Sequence, residues 1–284
     1  MILARTAAAV AIGCAALAIG AAAQPDGDRA TAEPAPATTL QTQESSWDVF
    51  VENQKAGKIR IKVLTVRDLV IIEESLAATL RGKDIAFDNQ IVYKAGAEPR
   101  PLRGKATTRL GNLKLMEGAA VFSDATVKTE VSGYTDKDLK PLKESVQETK
   151  DTPVPAGLAL TYPAFMYFAP KLLPVEDSTG REAGQIQKVS YLEFPLGVAF
   201  PEFIYYNPDC VLTRGPAAAD GRTEFALRHV FSGGNVKDLA SMTVDKAGKI
   251  LEVRLRPFVL RPEGSGAAKP ASGPAPSPKD RLPK

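Results

Sequence analysis

The sequence predicts a mainly β protein: a single, strongly curved antiparallel sheet, forming a half-barrel or open barrel, with one short buried helix and disordered N- and C-terminal segments on either side. Apolar and polar residues alternate along most of residues 46–261, which is typical of strands with one buried face. Turn signals separate these runs, and residues 158–173 interrupt the alternation with a nearly continuous apolar stretch. By size alone, residues 46–261 would make one large β domain or two small ones.

The first hairpin shows the alternation most clearly. Trp47, Val49 and Val51 face one side of the first strand. After a predicted turn at residues 53–58, the run 59–63 places three β-branched residues on one face and two bases on the other. This pattern predicts a half-buried antiparallel hairpin.

The segment Leu69–Leu80 fits two structures. Its apolar residues have helical spacings of 3, 4 and 4, between Asp68 as an N-cap and Gly82 as a stop. As a strand, it contains three consecutive β-branched residues and leads into a hairpin turn at residues 81–84. We favour the strand because strands with short connections flank it on both sides. Further strands are predicted at residues 85–87, 91–93, 106–110, 113–117, 119–122, 127–134, 186–194, 203–213, 224–231, 240–244 and 250–260.

The predicted helix follows Pro153-Val154-Pro155. Thr161 or Tyr162 is its N-cap, and Pro163 lies near the first helical position, where proline is well tolerated. Because this short helix is apolar nearly all round, we expect it to pack in the concave side of the sheet.

Residues 1–23 have the features of a bacterial secretory signal peptide. Arg5 precedes an apolar stretch at residues 6–20, and Ala21-Ala22-Ala23 provides a small-residue cleavage site. We therefore expect a mature protein that begins at Gln24, is periplasmic or secreted, and has no transmembrane span.

Lipidation is the alternative fate of the N-terminus. Residues 11–14 resemble a lipobox that would make Cys14 the acylated first residue, but Ala11 stands where a larger aliphatic residue is preferred. We favour ordinary cleavage after Ala23.

Both ends of the mature chain are predicted to be linkers. Residues 24–45 are rich in Ala, Thr, Pro and Asp, and residues 262–284 contain prolines among Gly, Ala, Ser and Lys. We expect both segments to be disordered, which leaves 46–261 as the globular domain.

The charge pattern does not favour a nucleic-acid partner. The formal net charge is +3, and the bases of the domain are scattered singly along the predicted strands rather than clustered. We expect these bases to be solvated.

Catalytic chemistry has little support in the sequence. His229 is the only histidine, so Cys210 and His229 are the one nucleophile and base pair available, without an evident third group. Glu73 and Glu74 would point to opposite faces of a strand and are predicted to be solvated acids rather than an acid pair. We predict no enzyme activity and no cofactor or metal, with a thiol enzyme as the disfavoured alternative.

The aromatic and methionine cluster of the helix is the candidate binding site. Phe165, Met166 and Phe168 are either ordinary core or the lining of a lipophilic cavity that would hold a lipid or an apolar peptide segment. We predict a binding or accessory module of the envelope, whose protein partner the sequence does not identify. A structural spacer domain without ligand is the alternative.

The layout resembles a known group of envelope domains. It combines Trp47-x-Val49-x-Val51, Gly57-Lys58-Ile59, the helix after Pro153-x-Pro155, and Val244-Asp245-x-x-Gly248-x-Ile250-x-x-Val253. These features resemble relatives of the lipoprotein-carrier (LolA-like) half-barrels, and similar segments precede transglutaminase-like domains in some larger proteins. The resemblance implies a bent antiparallel sheet around one or two helices, with an interior that carriers use for acyl chains, and it implies no catalytic residue.

Overall fold

The computed structural model describes residues 40–80, 82–135, 140–154, 157–174, 184–193, 205–232, 234–255 and 258–265. In this part of the chain there are fifteen strands and one helix. The N-terminal run of strands is β1 (Leu40–Val51), β2 (Gln54–Val66), β3 (Leu69–Leu80), β4 (Lys83–Lys94), β5 (Arg100–Leu110), β6 (Leu113–Phe122), β7 (Thr126–Thr135) and β8 (Pro141–Pro153). The rest are β9 (Ala159–Leu160), α1 (Tyr162–Leu172), β10 (Gly184–Glu193), β11 (Tyr205–Arg214), β12 (Thr223–Val230), β13 (Val236–Val244), β14 (Ile250–Leu255) and β15 (Phe258–Pro262).

All fifteen strands belong to one sheet. Strands β1 to β8 pair in chain order, β10 to β15 do the same, and pairing of β1 with β15 joins the two runs. Every pair is antiparallel except β9 with β10. The sheet is not closed, since β8 and β9 are its edges. The predicted mainly β fold, with a single curved sheet and one buried helix, is confirmed.

The segment Leu69–Leu80 is a strand, as the sequence analysis favoured. It pairs with β2 on one side and with β4 along its whole length on the other. The inward face carries Val70, Ile72, Glu74 and Leu76, all buried. Backbone hydrogen bonds to the two neighbouring strands satisfy the N–H and C=O groups of β3. The segment is therefore a strand, although its apolar residues also have helical spacing.

Some boundaries differ from the predictions. Residues 40–45, predicted as linker, form the first half of β1 because they pair with β2. The predicted turn at residues 53–58 is wrong: the turn is Glu52–Asn53, with both residues at positive φ, as in the tight two-residue turns that match the strand twist. Strand β8 was not predicted. It is an edge strand exposed along most of its length, so it lacks an alternating pattern.

Other predicted segments lie partly or wholly outside the described residues. Of the predicted signal peptide and linker, residues 1–39 are outside, as are residues 266–284 of the predicted tail.

Two predicted strand divisions also differ from the structure. The predicted strands 113–117 and 119–122 are one strand, β6, and the predicted strand 250–260 corresponds to two strands, β14 and β15.

Helix α1 lies in the interior of the curved sheet, where it contacts β3, β9, β10 and β12. Thr161 is its N-cap, and the Thr161 side-chain oxygen accepts a hydrogen bond from the Ala164 N–H. The backbone N–H of Thr161 in turn donates to the Tyr93 hydroxyl on β4, at 3.0 Å. The start of the helix is thereby fixed to the N-terminal half of the sheet.

Candidate functional site

An apolar groove of about 440 Å³ runs along one side of α1. The helix contributes one wall, β1 and β2 contribute another, and the turn between β13 and β14 borders it. Its apolar lining includes Trp47, Ile61, Val63, Met166 and Ile250. Pockets that bind drug-sized ligands typically measure about 300–1,000 Å³, so the apolar groove is large enough for a lipophilic ligand.

The rim of the apolar groove carries more positive than negative charge. Lys171 and Lys249 line it together with one acid, Glu44, which is 3.3 Å from Arg60 and is therefore already partly neutralised. Both lysines and Glu44 are exposed. An anionic group at the mouth of the groove would be attracted electrostatically.

Helix α1 also supplies polar atoms to this region. The Lys171 ammonium lies 3.3 Å from the centre of the Tyr167 ring, and the Tyr167 hydroxyl is 3.1 Å from the Thr65 hydroxyl on β2. Partial burial raises the pKa of Tyr167, but hydrogen bonds with Lys171 and Thr65 and the charge of Lys171 outweigh it, so the pKa is lowered. Pro170 has no N–H to bond the Met166 carbonyl one turn earlier.

The structure separates the three residues predicted to bind a ligand. Met166 lines the apolar groove and is 6 % exposed. Phe165 and Phe168 are buried and do not line it. Phe168 instead packs edge to face against Tyr93, with ring centres 5.3 Å apart. Helical geometry explains the difference, because adjacent residues of a helix point in different directions.

Cys210 and His229 are direct cross-strand partners on β11 and β12. Residues opposite each other in an antiparallel pair share a face, so the structure brings the two together. Cys210 is fully buried, however, and burial raises the pKa of its thiol to about 12. The His229 ring packs on Phe231, with ring centres 4.4 Å apart. A thiol with this pKa is not ionised at neutral pH and is a poor nucleophile.

The prediction that Glu74 is a solvated acid is wrong. Glu73 and Glu74 do face opposite sides of β3, but Glu74 is not solvated: it is 3 % exposed. Its carboxylate accepts hydrogen bonds from the Tyr162 hydroxyl and from Nδ2 of Asn89, the latter at 3.4 Å. The signal was present in the sequence, since Glu74 falls in phase with the inward-facing residues Ile72 and Leu76.

Burial raises the pKa of Glu74 to about 7, although the hydrogen bonds from Tyr162 and Asn89 act in the opposite direction. Burial, together with the Glu74 charge, also raises the pKa of Tyr162 well above its usual value. The Tyr162 hydroxyl therefore keeps its proton across the physiological range and can donate a hydrogen bond to the Glu74 carboxylate.

Comparison of the chain with protein-family models, with curated proteins and with solved structures gave no match. The described part of the chain contains no helix with the length and apolar character needed to cross a membrane.

Proposed function

We propose that this protein is an exported, non-enzymatic binding module of the bacterial envelope, and that the apolar groove holds the acyl chain of an anionic amphiphile. The observation that carries the proposal is the groove itself: about 440 Å³, lined by Trp47, Ile61, Val63 and Met166, with lysines at its rim. Methionine adapts to varied apolar shapes, which suits a flexible chain.

The charge at the rim supports a fatty acid in preference to a neutral lipid. With the acyl chain along α1, the carboxylate would lie near Lys171 and Lys249. The resemblance to lipoprotein-carrier half-barrels points to the same class of ligand, because those carriers use their hydrophobic interior for acyl chains.

Tryptophan fluorescence provides a direct test, because Trp47 is the only tryptophan in the chain and lines the groove. A long-chain fatty acid brominated near the middle of the chain should quench Trp47 with saturation, since bromine quenches only at close range. Absence of saturable quenching in folded protein would refute the proposal.

A matched pair of charge reversals tests the rim. Lys249→Glu should weaken fatty-acid binding severalfold, because it places a negative charge beside the carboxylate. Lys246→Glu changes the same turn at an exposed residue that does not line the groove, so it should bind as the wild type does. Equal effects of the two variants would mean that net charge, rather than the rim, controls affinity.

Export has its own test. Mass analysis of protein isolated from the envelope should give an N-terminus at Gln24, as expected for signal cleavage after Ala23. An acylated N-terminus at Cys14 would instead identify a lipoprotein. Native mass spectrometry of the same material would show whether lipid co-purifies.

A further inference from the structure

A second, smaller cavity of about 160 Å³ lies at the N-terminal end of α1. We call it the polar cavity. Phe87 and Phe258 belong to its apolar wall. Its polar lining consists of Glu74, Asn89, Thr161, Tyr162 and Tyr191, together with the exposed Lys237 and Asp238. A cavity of about 150 Å³ is large enough to hold benzene, so the polar cavity can accommodate a small organic ligand.

The polar cavity offers hydrogen-bond acceptors that the protein leaves underused. Glu74 and Asn89 are direct cross-strand partners on β3 and β4 and face the interior together. Asn89 is 6 % exposed, and its Oδ1 has no hydrogen-bond partner among the described residues. Its Nδ2 is turned toward Glu74, which leaves the carbonyl oxygen for another donor. Leaving a buried carbonyl oxygen without a donor costs free energy. A ligand that donates a hydrogen bond to this oxygen would remove that cost.

The charge of Glu74 is also uncompensated. No lysine, arginine or histidine in the described part of the chain lies within salt-bridge distance of its carboxylate, and the Tyr162 hydroxyl and the Asn89 amide that donate hydrogen bonds to it are both neutral. A buried carboxylate gains most from a paired cation.

Aromatic rings complete the environment. Phe87, Tyr162, Tyr191 and Phe258 all line the polar cavity. Ring faces attract organic cations, and aromatic cages with a carboxylate are a recurrent way to bind ammonium groups. The ligand that best fits the Glu74 carboxylate, the Asn89 carbonyl and these rings is a positively charged hydrogen-bond donor.

We propose that the polar cavity binds the ammonium group of a small organic amine, with the Glu74 carboxylate and Asn89 Oδ1 as acceptors and the aromatic rings around its alkyl portion. This site is distinct from the apolar groove and does not depend on fatty-acid binding there. No covalent step is involved.

Binding should depend on pH through Glu74. Tyr162 from α1 and Asn89 from β4 contact its carboxylate directly, whereas Asp88, on the other face of β4, acts on it only through its charge. Three more groups line the same cavity: Tyr191 from β10, and Lys237 and Asp238 from β13. Burial raises the pKa of Glu74 to about 7, whereas an alkyl ammonium, like that of lysine, titrates near 10. The ligand stays charged while Glu74 gains a proton, so affinity should fall about tenfold for each pH unit below that pKa.

The test compares three probes of similar size: n-butylammonium, the neutral donor n-butanol, and the anion butyrate. Binding is followed by NMR on the full mature chain at a pH above 8, using the Asn89 side-chain amide signal as the local reporter. We expect saturable binding of n-butylammonium at least tenfold tighter than that of n-butanol, and no binding of butyrate.

Two variants locate the site. Glu74→Gln, which keeps the shape, should abolish the preference for n-butylammonium. Glu73→Gln, on the opposite face of β3, should retain it. Equal affinity for n-butanol would show a neutral-donor site, and failure of n-butylammonium to bind folded wild-type protein would overturn the proposal. If Glu74→Gln does not fold, the wild type alone provides the test. Tighter binding of n-butylammonium than of n-butanol, lost as the pH falls below about 7, supports the proposal, and its absence overturns it.

Discussion

Replacing Glu74 with glutamine should remove a loss of stability that the wild type suffers as the pH rises from acid to neutral. The ordinary pKa of a glutamate is 4.5, and burial raises that of Glu74 to about 7. Between these values the folded protein holds a proton that the unfolded chain has lost, so the free energy of unfolding falls as the pH rises. Each pH unit changes the free energy of unfolding by about 1.4 kcal/mol. Because of Glu74, the wild type is therefore roughly 3 kcal/mol less stable at neutral pH than in acid.

The measured quantity is the stability of Glu74→Gln minus that of the wild type, from urea unfolding at a series of pH values. This difference should rise by about 3 kcal/mol between about pH 4.5 and pH 7 and be constant on either side. Altered hydrogen bonding in the variant shifts this difference by the same amount at every pH, so it does not change the rise with pH. Other titrating groups contribute equally to both proteins and cancel in the difference. Coincident transitions by circular dichroism and by Trp47 fluorescence would establish the two-state behaviour that the calculation requires.

Glu73→Gln is the control for this experiment. Its carboxylate lies on the outer face of β3, is partly exposed, and is 3.8 Å from the Lys62 ammonium, so its removal should not produce the same rise. A Glu74→Gln difference that stays within 1 kcal/mol from about pH 4 to about pH 8 would refute the idea that Glu74 is buried without a compensating cation.

Three further outcomes follow from the packing. Gly57→Ala should lower the free energy of unfolding by about 1–3 kcal/mol or more, because a Cβ there would lie only 2.5 Å from the Ala78 Cα on the paired strand; urea denaturation measures the loss. Cys210 should react with iodoacetamide far more slowly in the native protein than in urea, because its thiol is buried and its pKa is raised to about 12; rapid native labelling would contradict this. Phe165→Ala should cost about 3–5 kcal/mol of stability, as for a packed core aromatic, yet leave fatty-acid quenching of Trp47 intact, because Phe165 does not line the apolar groove.

The fold class could be predicted because alternation and turn chemistry are local. The helix start at Thr161 and Pro163, and the strand at Leu69–Leu80, each depend on neighbouring residues that the sequence displays directly. Strand β8 could not be predicted in this way, since an exposed edge strand needs no apolar face. The pairing of β1 with β15 is likewise non-local, because it joins strands from opposite ends of the domain.

The sites were harder to predict because they depend on which face of an element meets which neighbour. The sequence identified α1 as the place to look, and Met166 does line the apolar groove. It could not separate Met166 from Phe165 and Phe168, whose directions are decided by where the helix sits in the sheet. The rim residue Lys249 comes from a turn more than seventy residues away in the chain and becomes part of the groove only through the fold.

The polar pair of Glu74 and Asn89 is not required by the pairing of β3 with β4. The neighbouring inward-facing pairs of the same two strands are apolar: Ile72 with Ile91, and Leu76 with Phe87. An apolar pair would therefore continue the core, whereas Glu74 lowers stability by roughly 3 kcal/mol at neutral pH and an unpaired carbonyl such as Asn89 Oδ1 costs about 1–3 kcal/mol. Both unfavourable groups lie opposite each other, beside a cavity lined by aromatic rings. A bound ammonium would relieve both at once, because it pairs with the Glu74 carboxylate and donates a hydrogen bond to the Asn89 carbonyl.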